Sequence, residues 1–325
     1  MKFLSALATL AFLFSAVAAQ DAVLPADQAT WDLLNRVMYV SGNAVCVGQQ
    51  GIQYPFTCNA FCSSFPDFEL VTTWDNRAPL EFDVSGFLAV DHKRKEFWHV
   101  FRGTTTLKEQ ITNLQTQQQP MAKWYSPDLA ECEGCTAHQG FQITYNNAYK
   151  QFGEKMKQTW EKYPDYKNIV TGHSLGAAAA YLHGLNLKTG GKDPLVVTSG
   201  QPLVGNKALA EFNDKLFFGD KPDFTHLGPD RQFYRLTHRQ DIIPRLPFWS
   251  PYYHSGGEIF IDYPWAQPPL ENLKVCDGAE NPKCVFSTSI LEDATVGIAK
   301  LAHLIYFINF SLQCSLPLSP PYNGD

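Results

Sequence analysis

Along most of the chain, short apolar runs alternate with longer segments whose apolar residues recur every three or four positions, as strands interleaved with helices do. From Phe82, "FDVSGFLAVDHKRKEFWHVFRG" holds two apolar runs around the charged stretch Asp91 to Lys95, which predicts a β-hairpin. Between His138 and Tyr163, Phe141, Tyr145, Ala148, Phe152, Met156 and Trp160 fall on one face of a long amphipathic helix, closed by Pro164. A short strand around Ile169 and Val170 comes next, then an alanine-rich helix from Leu175 to near Gly190, then the strand "PLVVTSGQP". Strand, helix, strand in that order implies a parallel pair joined by a right-handed crossover. "RQFYRLTH" and "GEIFIDY" read as two further strands, and "LEDATVGIAKLAHLIYF" near the end as helix. The pattern predicts an α/β protein, a mostly parallel sheet with helices on both faces.

The first twenty residues do not fit that pattern. One lysine precedes an apolar run from Phe3 to Phe14, followed by Ala16, Val17, Ala18 and Ala19, which reads as a secretory signal peptide spanning 1–19. The run is short for a membrane span and has no stop-transfer flank, so no stable transmembrane anchoring is expected. Removing nineteen residues from 325 leaves 306, read as a single domain over 20–325, with no low-complexity linker or internal repeat. Apolar residues at 45% and charged ones at 18% exclude a disordered chain, and a net charge of −6 with no basic patch argues against nucleic-acid binding. Eight cysteines in an exported chain suggest disulfides, although eight allow about a hundred pairings. Cys58 lies near Cys62, Cys132 near Cys135 and Cys276 near Cys284; pairing neighbours leaves Cys46 and Cys314 to join the two ends. In the chain-entropy model that last closure contributes about 5 kcal/mol. No second cysteine or histidine pair at ligand spacing supports a metal site.

Candidate chemistry centres on "VTGHSLGAAAA", where Gly172, Ser174 and Gly176 form G-x-S-x-G between the expected strand and helix. In that context the serine tops a strained strand-to-helix turn, the glycines allow its close approaches, and the helix N-terminus favours developing negative charge. A serine nucleophile needs a base and an orienting carboxylate, which on the α/β-hydrolase fold follow in the order acid, histidine. His183, His226, His238, His254 and His303 all follow Ser174, as do many acids, so order alone leaves both choices open. Asp241 lies just past a strand on a loop stiffened by Pro244 and Pro247, though spacing alone favours a loop-capping role. His303, set among apolar residues, reads by composition as a core histidine.

Taken together, "FRGTTT" at 101–106, "VTGHSLG" at 170–176, "GQPLVGN" at 200–206, "THRQDIIPRLPF" at 237–248, "AHLIYF" at 302–307 and the cysteine spacing resemble the secreted fungal class 3 triacylglycerol lipases, particularly the extracellular yeast members. The resemblance covers essentially the whole mature chain. It implies an α/β-hydrolase fold, Ser174 as nucleophile, Asp241 as orienting acid, His303 as general base, and an oxyanion hole from the amides of Thr104 and Leu175. The four cysteine pairs above agree with the yeast members. The segment at about 105–120 resembles the family's amphipathic lid: Thr106 and Glu109 form a capping box, and Leu107, Ile111 and Leu114 line one face. Asn113 stands where the family usually has an aspartate, and the distal "QTQQQP" is polar. Asn309, in "NFS", is the only glycosylation sequon.

The expectation is a secreted, monomeric lipase acting at an oil–water interface, with no metal or organic cofactor. The alternative is an esterase of the same fold acting on soluble esters, feruloyl esters included. A lipid-binding protein without activity is disfavoured, because each catalytic position holds the required residue type.

Overall fold

The computed structural model describes residues 22–48, 51–75, 84–103, 117–121, 132–248, 251–311, 314 and 322. The expected leader 1–19, the lid residues Leu107, Ile111 and Leu114, and also Thr104 and Asn113, lie outside the described residues. In chain order the strands are β1 (Val23–Pro25), β2 (Phe68–Trp74), β3 (Ser85–Asp91), β4 (Glu96–Arg102), β5 (Gln118–Pro120), β6 (Thr136–His138), β7 (Lys167–His173), β8 (Leu195–Ser199), β9 (Gly205–Asn206), β10 (Phe233–His238), β11 (Tyr252–Tyr253), β12 (Glu258–Ile261) and β13 (Leu273–Cys276). Nine of them form one sheet in the order β1-β13-β12-β10-β8-β7-β4-β3-β2. The central strands β4, β7, β8, β10 and β12 run parallel, and antiparallel strands flank them on both sides.

The longer helices are α1 (Gln28–Gly42), α2 (Gln139–Lys162), α3 (Leu175–Thr189) and α4 (Lys207–Phe218). Alternation along the strands assigns the two faces. Phe87, Ala89, Trp98, Val100 and Ile169 pack with Leu34, Val37 and Met38 of α1. Leu88, Val90, Phe97, Phe101 and Val170 pack with Phe141, Phe152 and Ala178 to Ala180 of α2 and α3. Strands covered on both faces therefore read as unbroken apolar runs, while Ala177 to Ala180 let α3 lie close against the sheet. Asp27 caps α1 by accepting from the Thr30 amide at 2.8 Å, and Asn206 caps α4 by accepting from Leu209 at 3.1 Å.

The hairpin, α2, α3 and the β7–α3–β8 crossover form where the sequence pattern puts them. Two places differ. The end of the expected lid segment, Gln118–Pro120, is strand β5, paired with β6 in a small four-stranded sheet; Gln142 donates to the Gln119 carbonyl at 3.2 Å. Backbone pairing thus fixes a stretch that carries no apolar period of its own. The expected C-terminal helix is also cut short: a turn of α-helix at Ile290–Glu292 (α5) runs into a π-helical turn at Asp293–Gly297, and Leu301 adopts left-handed backbone (φ 55°). His303 consequently sits on a separate 3₁₀ turn, Ala302–Leu304.

Disulfides join Cys46 to Cys314, Cys58 to Cys62, Cys132 to Cys135 and Cys276 to Cys284. The first spans 268 residues and ties the turn after α1 to the C-terminal segment.

Candidate active site

β7 ends at His173 and α3 begins at Leu175, so Ser174 occupies the single residue between them, with φ 60° and ψ −127°. A non-glycine residue held there stores about 1–3 kcal/mol of strain. Its surroundings hold it: the Ser174 amide donates to the Ser199 carbonyl at 2.9 Å, and the Ala177 amide donates to the Ser174 carbonyl at 2.9 Å. A Cβ on Gly172 would overlap the Gly176 carbonyl, and one on Gly176 would overlap the Phe101 carbonyl. The smallness of the motif is thus steric on both sides of the serine. A Cβ on Gly103 would come within 2.8 Å of the His173 carbonyl, so the chain leaving β4 also passes the turn only as glycine. Leu175 is the first residue of α3, and the amides of a helix's first turn have no partner within the helix.

Asp241 and His303 reach the serine from two loops beyond the C-terminal ends of the parallel strands. His303 Nε2 is 2.7 Å from Ser174 Oγ, and its Nδ1 is 2.9 Å and 3.1 Å from the two Asp241 carboxylate oxygens. Asp241 also accepts from the Ile243 amide at 2.9 Å and from the Tyr306 hydroxyl at 2.7 Å. Burial alone would raise the Asp241 pKa, but the charge and hydrogen bond of His303, with those of Tyr306 and Ile243, hold it below the usual carboxylate value. An ionised Asp241 accepts only, so His303 donates from Nδ1 and presents the Nε2 lone pair to the serine. Burial and the neighbouring carboxylate push the Tyr306 hydroxyl well above its usual pKa, keeping it a donor.

The His303 ring is held on more than its hydrogen bonds. It stacks on His173 (ring centroids 4.7 Å apart, planes at 30°), which itself stacks on Phe310 (4.1 Å, 6°). Gly200 (φ +58°) lies at the ring edge, where a Cβ would stand 2.9 Å from Cε1. Burial, then repulsion from His303, lowers the His173 pKa well below that of a free histidine, so the stack contains at most one charged ring near neutral pH.

The other four downstream histidines have other surroundings. His183 bonds to Tyr145 and His99 within the α2–α3 layer, His226 is exposed beside Asp230, and His254 donates to the Pro244 carbonyl. His238 is buried, its pKa pushed down to about 4 by desolvation. Asn309 is half-buried and accepts from the Ser311 hydroxyl at 2.6 Å, within its own sequon. Tyr306, His173 and Gly200 lie inside the family-like motifs, yet sequence reasoning assigns them no role; a tyrosine three residues past the histidine and a glycine after β8 are the available signals.

A strained serine at the head of a helix, its hydroxyl on an imidazole braced by a carboxylate, and all three at the C-terminal edge of a mainly parallel sheet define an α/β-hydrolase. The family described as lipase (class 3) matches residues 99–250, which include the serine motif and Asp241. A secreted mono- and diacylglycerol lipase 2 of Gibberella zeae is 32% identical over 79% of this chain and 68% of its own. Lipase A of Sodiomyces alcalophilus is also 32% identical, over 83% and 71%. Among solved structures, the Lip2 lipase of Yarrowia lipolytica aligns with a TM-score of 0.81 and 41% identity, over 89% of this chain and 97% of that one. The chain belongs to the class 3 lipase family: it is a lipase, a carboxylic ester hydrolase acting on lipid. Among the described residues no helix is long and apolar enough to cross a membrane.

Proposed function

We propose that the chain is a secreted, monomeric acylglycerol lipase of one domain that works at an oil–water interface, with Ser174 as nucleophile, His303 as general base and Asp241 as orienting acid. The observation that carries the catalytic assignment is the unbroken series from Ser174 Oγ through the His303 ring to Asp241, at 2.7 Å and 2.9 Å. In this reading Ser174 Oγ attacks the ester carbonyl carbon as its proton passes to His303 Nε2. The tetrahedral oxyanion takes a hydrogen bond from the Leu175 amide and, by family resemblance, one from Thr104, each worth about 3 kcal/mol where water is excluded. When the carbon–oxygen bond breaks, His303 returns the proton to the departing glyceride oxygen. Water then attacks the acyl-serine, His303 takes its proton and passes it to Ser174, and the fatty acid leaves. Tyr306 and Ile243 keep the Asp241 carboxylate aimed at Nδ1, and His173 and Gly200 keep the ring's plane fixed.

Secretion is supported by the apolar leader and by relatives described as secreted. The substrate class follows from relatives named as mono- and diacylglycerol lipases, including a solved structure from Aspergillus oryzae aligned at a TM-score of 0.70. The test is hydrolysis of a long-chain triacylglycerol and of a short soluble ester, each followed through its solubility limit, with Ser174→Ala as the blank. A jump in rate once long-chain droplets form is expected. Smooth saturation below the limit, with little activity on oil, would point to a soluble-ester esterase; undiminished hydrolysis by Ser174→Ala would remove the catalytic assignment.

A further inference from the structure

Away from Ser174 the protein holds a second series of carboxylate, imidazole and hydroxyl. It lies at the opposite end of the sheet, where the parallel strands begin. Glu69 is on β2, His92 follows β3 in the turn to β4, and Tyr166 stands just before β7. His92 Nε2 is 3.2 Å from Glu69 Oε2, and its Nδ1 is 2.9 Å from the Tyr166 hydroxyl. A carboxylate only accepts, so His92 donates from Nε2 and the Nδ1 of the neutral ring accepts from the phenol. Nucleophile, base and orienting acid are thus joined in the same sense as Ser174, His303 and Asp241, with a phenol in place of the serine. The seven residues of β7, at about 3.3 Å each, set the two hydroxyls about 25 Å apart, too far for one substrate pocket to serve both.

Rings and backbone hold the arrangement. Tyr163 stacks on Tyr166 (ring centroids 4.7 Å apart, planes at 23°), and His92 meets both rings edge-on, at 5.4 Å and 6.0 Å. The His92 amide donates to the Asp67 carbonyl at 3.1 Å, the Tyr166 amide to the Tyr163 carbonyl at 3.2 Å, and the Lys167 amide to the Lys95 carbonyl at 2.9 Å. Three separate chain segments are pinned where the three groups meet. Partial desolvation, then the neighbouring Tyr163, raises the Tyr166 pKa, so the phenol keeps its proton near neutral pH and needs a base to react. What differs from Ser174 is the surroundings. The His92 and Glu69 side chains are 39% and 34% exposed. The nearby cations stand on flexible stems, Lys95 paired with Asp165 at 3.5 Å and Lys162 over the Tyr163 ring. Charge in contact with water stabilises an oxyanion weakly, so an ester reacting here must bring a leaving group that departs easily.

The geometry points to Tyr166 as a second acyl-accepting site, taking one acyl group from an activated aryl ester with His92 as general base and Glu69 as the carboxylate that orients it. The phenol oxygen attacks the ester carbonyl carbon while its proton passes to His92 Nδ1. The bond from that carbon to the aryl oxygen then breaks, and the departing oxygen takes the proton from His92, leaving a free phenol and an acylated Tyr166. A tyrosine oxygen is a poorer leaving group than an activated aryl oxygen, so the acyl group stays. The site owes nothing to Ser174.

The test uses the full-length protein carrying Ser174→Ala, so that the lipase site cannot consume the reagent, and p-nitrophenyl acetate near neutral pH. Acetylated tyrosines are located and timed by peptide mass spectrometry, with Tyr54, 72% exposed, as the internal reference. Tyr166 is expected to be acetylated at least about ten-fold faster than the more exposed Tyr54, as a positioned base would make it. Adding His92→Ala removes that excess and leaves the Tyr54 rate as before; adding Glu69→Gln lowers it several-fold. With Ser174 intact, His92→Ala leaves kcat/KM on a dissolved butyrate ester within about two-fold, as expected of distant sites, which also checks the fold. Tyr166 reacting no faster than Tyr54 overturns the inference, and so does an excess that survives His92→Ala. Should His92→Ala unfold the chain, seen as lost butyrate hydrolysis, the Glu69→Gln comparison decides in its place, and an unchanged excess overturns the inference. Hydrolysis that survives Ser174→Ala bears on the lipase reading alone, since Tyr166 is read by mass.

Discussion

Two buried histidine series, one at the C-terminal edge of the sheet and one within the α2–α3 layer, use the same residue type to opposite ends. In one, Ser174, His303 and Asp241 are joined in order, with Tyr306 and the Ile243 amide donating to the carboxylate. In the other, between α2, α3 and the sheet, Tyr145 bonds to His183 at 2.8 Å, His183 to His99 at 3.0 Å, and His99 to Asn168 at 3.2 Å. Trp160 donates to the same Asn168 oxygen at 2.7 Å, so that oxygen is an acceptor and His99 donates to it. Each remaining ring nitrogen then finds a partner with both imidazoles neutral. In this second series the bonds run to a tyrosine hydroxyl and an amide. Desolvation lowers the His99 pKa to about 3 and that of His183 well below its ordinary value. A buried histidine becomes a usable base when an anion stands behind it; behind an amide it is polar packing.

The largest test of that contrast is to remove the anion. Asp241→Asn keeps the shape but offers His303 an amide like that of Asn168, and kcat is expected to fall about 10⁴-fold with the thermal midpoint little changed. Steady-state rates on a soluble ester check it, and a loss under ten-fold would break the comparison.

Next in size is an effect on stability. A histidine whose folded pKa lies below its unfolded value contributes stability that is complete above about pH 6.5 and is lost as pH falls, because the unfolded chain binds the proton. With a folded pKa of about 3, His99 alone costs about 2 kcal/mol between pH 7 and pH 5. His183, His173 and His254, also lowered well below the ordinary value, act in the same direction. Urea titrations at pH 7 and pH 5 measure it; equal stabilities at the two pH values would show these rings to be solvated.

Tyr306→Phe removes one of the donors that steady Asp241 while leaving the Ile243 amide and His303 in place. The expected loss is about ten-fold in kcat, with KM held, in line with one hydrogen bond to a charged group. Smallest of all, His173→Phe should keep the stack under His303 and cost about two-fold, whereas His173→Ala should cost several-fold more. Equal rates for the two variants would mean that the ring face plays no part in holding the base.

How far the sequence disclosed all this depends on distance along the chain. The central strands and helices α2 and α3 were legible because each carries its own apolar run or period over four or more residues. Strands β5, β9 and β11, two or three residues long, carry none. The helix expected across 291–307 missed its interruption because Leu301 takes left-handed backbone with neither glycine nor proline at that position to signal it. At the site, Ser174 announced itself through local glycines, whereas its hydrogen bonds run to a histidine 129 residues away and from there to an aspartate 62 residues before it. Such partners leave no local period, and His303, set among apolar neighbours, looks by composition like His183. Family resemblance, not spacing, singled out His303 and Asp241; Tyr306 became visible only once the carboxylate's surroundings were known.

The crowding at the turn also sets limits for anyone redesigning this enzyme. Positions 103, 172, 176 and 200 each leave no room for a methyl group without moving a carbonyl or the His303 ring. A combinatorial library spread evenly over the neighbourhood of Ser174 would spend much of its diversity on chains that cannot close the turn. Room for substitution lies instead at exposed positions such as Leu291 and Ile298, whose side chains face solvent.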